Sequence, residues 1–570
     1  MPYKLLQNFI GCLMLLLAVC KTDAQDLATL GKQKPFAITG SVGGGVTFYH
    51  SNAVFQTQDP FTWNLYGSFN PTFYGFAMPL SFVINQYSNS YTTPFAQFGI
   101  SPTYKWIRLH LGYRSISMSP FAFDGQSFKG VGIELTPGKL RFAAFYGSLN
   151  KAINEDTTTG RLAMPQYGRM GYGVKLGVGT AANHFDLVYF HAKDDSSSIQ
   201  LINESQVIRP EENTVIGTSM KFTFFKRIIF TADAATSALS QDLASAPVNP
   251  DTLNALQKIL SKAFVYRNST VLSYAGQSLL TVLLNSFTAT VGYRRVEPDF
   301  QSLGTPYMLS DLEAWQGNAN LSLAKGRVNI NASFNTQHND LDQNLVSELH
   351  DATEVFSISA LISKHFNLNI NASTVTLNQT NGTGVISDSI RENEQIYAIS
   401  VMPTIILGGK SISQTITPSF NYSAVNDRNT FTAPTGSSNT LSATVSYVCT
   451  FLQKHWSLNG NILYNDYTQG AGNEYVSYGL NAGGAVQMLK DKNLGVQLSL
   501  GYLFNNFAEG GGASSNVTGS FSTHYTYKRH HTFSLYTSYV VTPPNSLQQK
   551  LLYGVSSNNL AGGMNYSYSF

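Results

Sequence analysis

Val328-Asn329-Ile330-Asn331-Ala332-Ser333-Phe334-Asn335 alternates apolar and polar side chains without a break. An extended strand points successive side chains to opposite faces, so this stretch has one greasy face and one face of amides and hydroxyls. Just upstream, Trp315, Gly317, Ala319, Leu321 and Leu323 alternate with Gln316, Asn318, Asn320 and Ser322. Downstream, Phe366, Leu368, Ile370 and Ala372 alternate with Asn367, Asn369, Asn371 and Ser373. The same period returns at Leu441 to Phe451, Trp456 to Tyr464, Leu494 to Phe504 and Phe533 to Val541, and it predicts an all-β chain.

A soluble β-sandwich would alternate too, but three features point elsewhere. The polar faces carry Asn, Ser, Thr and Gly instead of the Lys and Glu of soluble surfaces. The segments run to about 10–14 residues, long for globular strands and suited to tilted membrane spans. Aromatics crowd their ends, at Phe48 and Tyr49, Tyr293, Tyr464 and Tyr467, and Tyr525 and Tyr527, as interfacial girdles do. Composition agrees: charged residues make up 12% of the chain, against about 25% in ordinary soluble domains. The net charge of +3 offers no general attraction to nucleic acid.

Connection lengths give a second line of argument. Short turns fall near Asn70-Pro71, Pro137-Gly138, Lys325-Gly326, Lys364-His365, Gln453-Lys454, Lys490 to Lys492 and Lys528 to His530. Longer polar connections fall between them, at Gln86 to Pro94, Asn150 to Pro165, Asp194 to Glu212, Ala238 to Tyr266, Gln337 to Asp351, Gln379 to Glu394 and Thr542 to Asn559. Short and long alternate, as the two rims of a transmembrane barrel require. Counting on this scheme predicts a single antiparallel transmembrane β-barrel of about 26 strands, within a range of 22–26, over residues 36–570.

The N-terminus reads as an export signal over residues 1–24. Lys4 supplies the positive charge, Ile10 to Val19 the apolar run, and Thr22-Asp23-Ala24 the small residues before a cut at Gln25. With that segment removed, Cys12 and Cys20 leave and only Cys449 remains, so no disulfide framework is expected. Residues 25–35 would form a short periplasmic extension.

The last strand carries Met564, Tyr566, Tyr568 and Phe570, alternating with Asn565, Ser567 and Ser569. It resembles the aromatic terminal strand that outer-membrane β-barrel proteins present to the barrel assembly machinery. Signal, strand pattern and terminal Phe together resemble the large outer-membrane barrels of the Bacteroidota type. The resemblance implies location in the outer membrane of a Gram-negative cell, with outer-membrane lipid and the assembly machinery as partners.

Motifs for chemistry are sparse. The sequence has no phosphate-cradling Lys loop, no His-Glu zinc motif and no nucleophile elbow, so no catalytic, cofactor-binding or metal residues are assigned and no cofactor is expected. His184 with His191, and His530-His531, are placed at turns or membrane interfaces. Gly43-Gly44-Gly45 has no following helix or Lys and reads as a site of bending or close packing in a strand. Cys449 shares the phase of Leu441, Val445 and Tyr447 and is expected to face lipid.

Charged residues within strands fall on the phase opposite their apolar neighbours. Arg108, Arg114, Glu134, Arg141, Arg169, Lys175, Asp186, Lys221, Asp233 and Arg294 are therefore expected to face the lumen. They could pair across strands and stiffen the wall, or form a basic patch that selects cargo. One loop breaks the all-β pattern. Asn249-Pro250-Asp251 looks like a helix start, and Leu253, Leu256 and Leu260 recur at helical spacing, a candidate constriction helix if it folds inward.

Twenty-six strands spaced about 4.8 Å apart and tilted about 40° enclose a backbone diameter of roughly 50 Å. Side chains cannot fill that width, so infolded loops or a plug or gating partner protein must narrow it. The short extension before Phe36 argues against an N-terminal plug domain. These features point to a non-enzymatic outer-membrane channel, porin-like or partner-gated, for solutes or a polypeptide. The alternative is a non-conducting docking or structural barrel that binds a surface or periplasmic partner.

Overall fold

The computed structural model describes residues 34–52, 58–74, 76–86, 97–154, 165–199, 208–262, 264–470, 472–489, 491–508, 512–542 and 557–570. The signal reading and nearly all of the short extension lie outside them. The described strands form one closed antiparallel barrel of 26 strands. Two of these are broken into pieces. Phe76–Ala77 and Leu80–Asn85 both pair with Phe61–Phe73, and they are separated at Pro79. Gln97–Ile100 and Thr103–Tyr104 both pair with Ile107–Arg114, separated at Pro102. Proline has no backbone N–H to give to a ladder, so the pairing lapses at both points.

Closure joins the chain ends. The first strand, Phe36–Ser51, pairs with Phe61–Phe73 on one side and with the last strand, Ser557–Ser569, on the other, in register from Ser41 opposite Ser569 to Ser51 opposite Asn559. The Phe570 amide donates to the Gly40 carbonyl at 2.9 Å. Among the described strands no edge is left unpaired, which is what a lipid environment demands of a β-structure. Gly43 lies at this seam, where a Cβ would stand 2.6 Å from the Tyr566 carbonyl oxygen and 2.8 Å from the Tyr66 hydroxyl.

Strand pairing sets side chains in rows that run across the strands. On the outer face, Arg295, Glu313, His338 and His350 stand opposite one another in one row, with Tyr293 and Trp315 in the row beneath. Below come Val291, Gly317, Phe334 and Glu354; then Ala289, Ala319, Ala332 and Phe356; then Phe287, Leu321, Ile330 and Ile358; and last Leu323, Val328 and Ala360. Rows two residues apart on a tilted strand descend about 5 Å each, so this band spans roughly 20 Å from Trp315 to Leu323, close to the apolar height of outer-membrane barrels. Polar ladders cap it above, and Glu354 interrupts it.

Aromatics near the strand ends do not all join the outer girdles. Tyr293, Tyr464, Tyr525 and Tyr527 share the outward phase, as does Phe48. Tyr49 and Tyr467 face the lumen, because a one-residue step along a strand changes the face.

Candidate functional site: the lumen and its lining

The largest buried core lies inside the barrel. Two connections from the long-loop rim, residues 115–127 and 297–311, fold onto the inner wall between Ile107–Arg114 and Leu312–Leu323. Phe121, Phe123 and Phe300 are completely buried there. The Phe123 ring lies 4.3 Å from Phe145 and 5.5 Å from Phe190, and Phe121 meets Phe300 edge-on at 6.1 Å. Phe145, Val188, Phe190, Val215, Ala235, Leu239 and Ala275 supply the wall side of this core from inward-facing positions. Burying a Phe side chain stabilises by about 1.5–3 kcal/mol, so these rings hold both segments firmly against the wall.

Small and polar wall residues complete the seat. A Cβ at Gly173 would lie 2.6 Å from the Phe145 ring and 2.8 Å from Met118 Sδ; one at Gly132 would lie 2.7 Å from Ile116 Cδ1. The buried Asn213 amide donates to Ser237 Oγ at 2.8 Å and to the Ala238 carbonyl at 3.1 Å, while its Oδ1 accepts from the Leu303 amide at 3.1 Å. Ser302 Oγ donates to the Ala122 carbonyl at 2.7 Å, tying the two segments to each other. The run Met118-Ser119-Pro120-Phe121-Ala122-Phe123 is the trace of this arrangement in the sequence, since so apolar a loop needs cover.

The charged residues of this wall are largely spoken for. Arg141 clasps Asp186 through two hydrogen bonds of 2.8 and 2.9 Å. Arg169 clasps Asp194 at 2.6 and 3.0 Å and reaches Glu211 at 3.0 Å. Burial raises the Glu211 carboxyl above its ordinary pKa, and the Arg169 charge works against that rise. Glu134 accepts from His110 at 2.8 Å and lies 3.6 Å from Arg108. Lys175 donates to the Ser117 carbonyl at 3.0 Å, holding the root of the first infolded segment. The Arg294 guanidinium sits 5.6 Å over the Phe121 ring. Arg114 donates to Ser81 Oγ at 2.6 Å and to the Pro79 carbonyl at 3.3 Å. Asp233 accepts from Gln277 at 3.0 Å, and Lys221 stands opposite His184 in the register. All ten charged positions share the inward phase; Arg108, Arg141 and Arg169 meet carboxylates across strands, whereas Arg114 and Lys175 bond a hydroxyl or carbonyls and Arg294 stacks on a ring.

The loop helix does not constrict the lumen. It spans Ala255–Leu260, after a single 3₁₀ turn at Pro250–Thr252 capped by Asn249, whose side chain accepts from the Asp251 amide at 3.1 Å. Leu253, Leu260, Phe264 and Tyr266 pack with Ala238 and Leu272. Ala238 and Leu272 point outward, as their register with Thr214 and with each other shows, so the helix lies on the outer face near the long-loop rim. The Leu256 side chain lies outside the described residues. An apolar stripe needs cover, and the outward Ala238 offers a flat place to dock, whereas the inner face here is already filled by Phe300 and Leu303.

The opposite wall is of another character. From Ser438–Phe451 round through the seam to Leu80–Asn85, the inward positions hold no Asp, Glu, Lys or Arg among the described residues. Asn459, Asn461, Asn465, Asn481, Asn505 and Asn565 recur there among Ser, Thr and Gly. Met564, Tyr566, Tyr568 and Phe570 all take the outward phase of the last strand. Cys449 likewise points outward between Gln414 and Leu458, though its neighbours leave it only 8% exposed. The histidines named above take separate partners: His191 meets Thr214, and His530 and His531 meet the Ser569 carbonyl and the Tyr566 hydroxyl. Among the described residues no three His, Cys, Asp or Glu side chains converge as a metal site would require.

No family model and no curated protein matches this sequence. Among solved structures, the chain is similar to Acinetobacter baumannii OccAB3, with 8% identity over 70% of this chain and 99% of that one, at a TM-score of 0.32. It is similar to Pseudomonas aeruginosa OccK8 (OprE), with 9% identity over 70% and 98% of the two chains, at 0.31. It is also similar to Pseudomonas aeruginosa OccK2 (OpdF), solved in complex with glucuronate, with 7% identity over 94% and 98%, at 0.29.

Proposed function

We propose that this protein is a porin-like channel of the Gram-negative outer membrane, with an aqueous lumen lined on one side by a neutral amide-rich wall. The observation that carries the reading is the contrast between the two faces. The outer face is an apolar band of membrane height. The inner face is mostly Asn, Ser, Thr and Gly where no infolded segment covers it. A barrel about 50 Å across cannot be filled from one side by residues 115–127 and 297–311, so water occupies much of the remainder. The Bacteroidota affinity, the use of the terminal strand in assembly, and any plug or gating partner belong to the same proposal.

Planar-bilayer recording of the purified protein tests it. Stable conductance steps are expected, with weak ion selectivity, because Arg141 and Arg169 are already neutralised by Asp186, Asp194 and Glu211. A correctly inserted barrel that conducts nothing would overturn the channel reading and leave a docking barrel.

A further inference from the structure

On the neutral wall, Tyr467, Tyr475 and Phe507 stand directly opposite one another on three adjacent strands, Trp456–Gln469, Asn473–Met488 and Leu494–Phe507. Tyr467 and Tyr475 lie 5.0 Å apart by ring centroids, and Tyr475 and Phe507 5.7 Å. All three take the inward phase, opposite to the exposed Ile462, Tyr478 and Leu500, so no lipid girdle accounts for them. Phe507 is 39% exposed, and among the described residues no buried core forms over the row. It lies toward the rim that carries the long connections elsewhere in the barrel, where a solute would enter.

The next row down consists of hydroxyls and amides. Ser442, Asn465, Ser477, Asn505 and Ser514 stand opposite one another in sequence round the wall. Ser477 donates to Asn505 Oδ1 at 2.6 Å, and Asn505 donates to Ser514 Oγ at 2.9 Å, so the Asn505 amide is held in place. One row lower, Asn516 stands opposite Leu503.

We infer that this row is a binding platform for a neutral saccharide, an inference that rests on the channel reading above. Aromatic faces bury flat apolar surface, and the C–H face of a pyranose ring supplies such a surface. The hydroxyls at the ring edge can then exchange water for the amide row. A charged solute would meet no counter-charge on this sector and would forfeit hydration without return. A few fixed polar groups beside an apolar face is the usual make-up of a small-molecule site.

The test uses the full-length protein in detergent and in bilayers, with maltohexaose as probe. Saturable binding by calorimetry is expected, and so is concentration-dependent current noise from the sugar. Tyr475→Ala should weaken binding about tenfold, whereas Tyr475→Phe should stay within about twofold because the ring is kept. Phe507→Leu, which keeps apolar bulk but not the flat face, should also weaken it. Heat-modifiable gel migration reports that each variant is folded. No saturable sugar binding by a conducting protein overturns the platform, and so does equal binding by Tyr475→Ala. Binding of an uncharged heptapeptide in place of the sugar also overturns it. Sugar binding without any conductance would instead uphold the platform and sink the channel.

Discussion

Arg141 and Asp186 form a two-bond clasp across an intervening strand, over Gly177, which stands opposite both, and the Asp186 side chain is only 2% exposed. Removing one partner strands the other charge in a poorly solvated place. Arg141→Gln should therefore lower the guanidinium unfolding midpoint. The loss should stay below the about 3–5 kcal/mol of an isolated buried pair, since Lys175 also feels the Asp186 charge. The double variant Arg141→Gln with Asp186→Asn should recover part of it. A double variant as weak as the sum of the two singles would show that the clasp contributes no coupling.

Phe123 anchors the first infolded segment. Phe123→Ala should cost about 3–5 kcal/mol locally and free residues 115–127 from the wall. The barrel ladders do not depend on this ring, so folding should persist. Single-channel recordings should show larger or noisier steps. Unchanged steps would mean that the segment does not bound the conducting path.

The outer-face helix predicts the opposite. Deleting residues 249–264 removes the cover from Ala238 and Leu272 but nothing from the lumen. Conductance should be unchanged within experimental scatter, while resistance to heat falls. A rise in conductance would place the helix inside after all.

Glu354 points outward from the middle of Ser347–Ser363, two rows below the polar ladder and in the same row as Phe334 and Val291. A carboxylate on the lipid side opposes insertion to a degree set by depth. Glu354→Leu should raise the urea midpoint of the lipid-inserted protein, and a fall would show that the carboxylate makes a favourable contact in the membrane.

Cys449 offers a check on register. Its outward phase and 8% exposure predict slow reaction with a membrane-impermeant maleimide in intact membranes. Fast labelling from the lumen would mean a one-residue slip along Ser438–Phe451.

Alternation and loop parity were enough to read the all-β class, the closed barrel and its 26 strands from the residues alone. The reason is physical: period two in side-chain direction is a local property of an extended chain, and lipid on one face with water on the other writes it directly into the sequence. The inward phase of Arg141, Arg169 and Asp186 follows from the same rule. Which way a loop folds at the rim does not. The stripe of Leu253 and Leu260 called for cover, but only the tertiary structure shows that cover to be the outward Ala238 and Leu272. The Phe121 and Phe123 segment found its seat inside because Gly132 and Gly173 had left room there, a complementarity between residues far apart in the chain. Tyr464 and Tyr467 look alike as end-of-strand aromatics, yet one meets lipid and the other water. Contacts between distant segments carry no period, so packing alone decided where the lumen is filled and where it stays open.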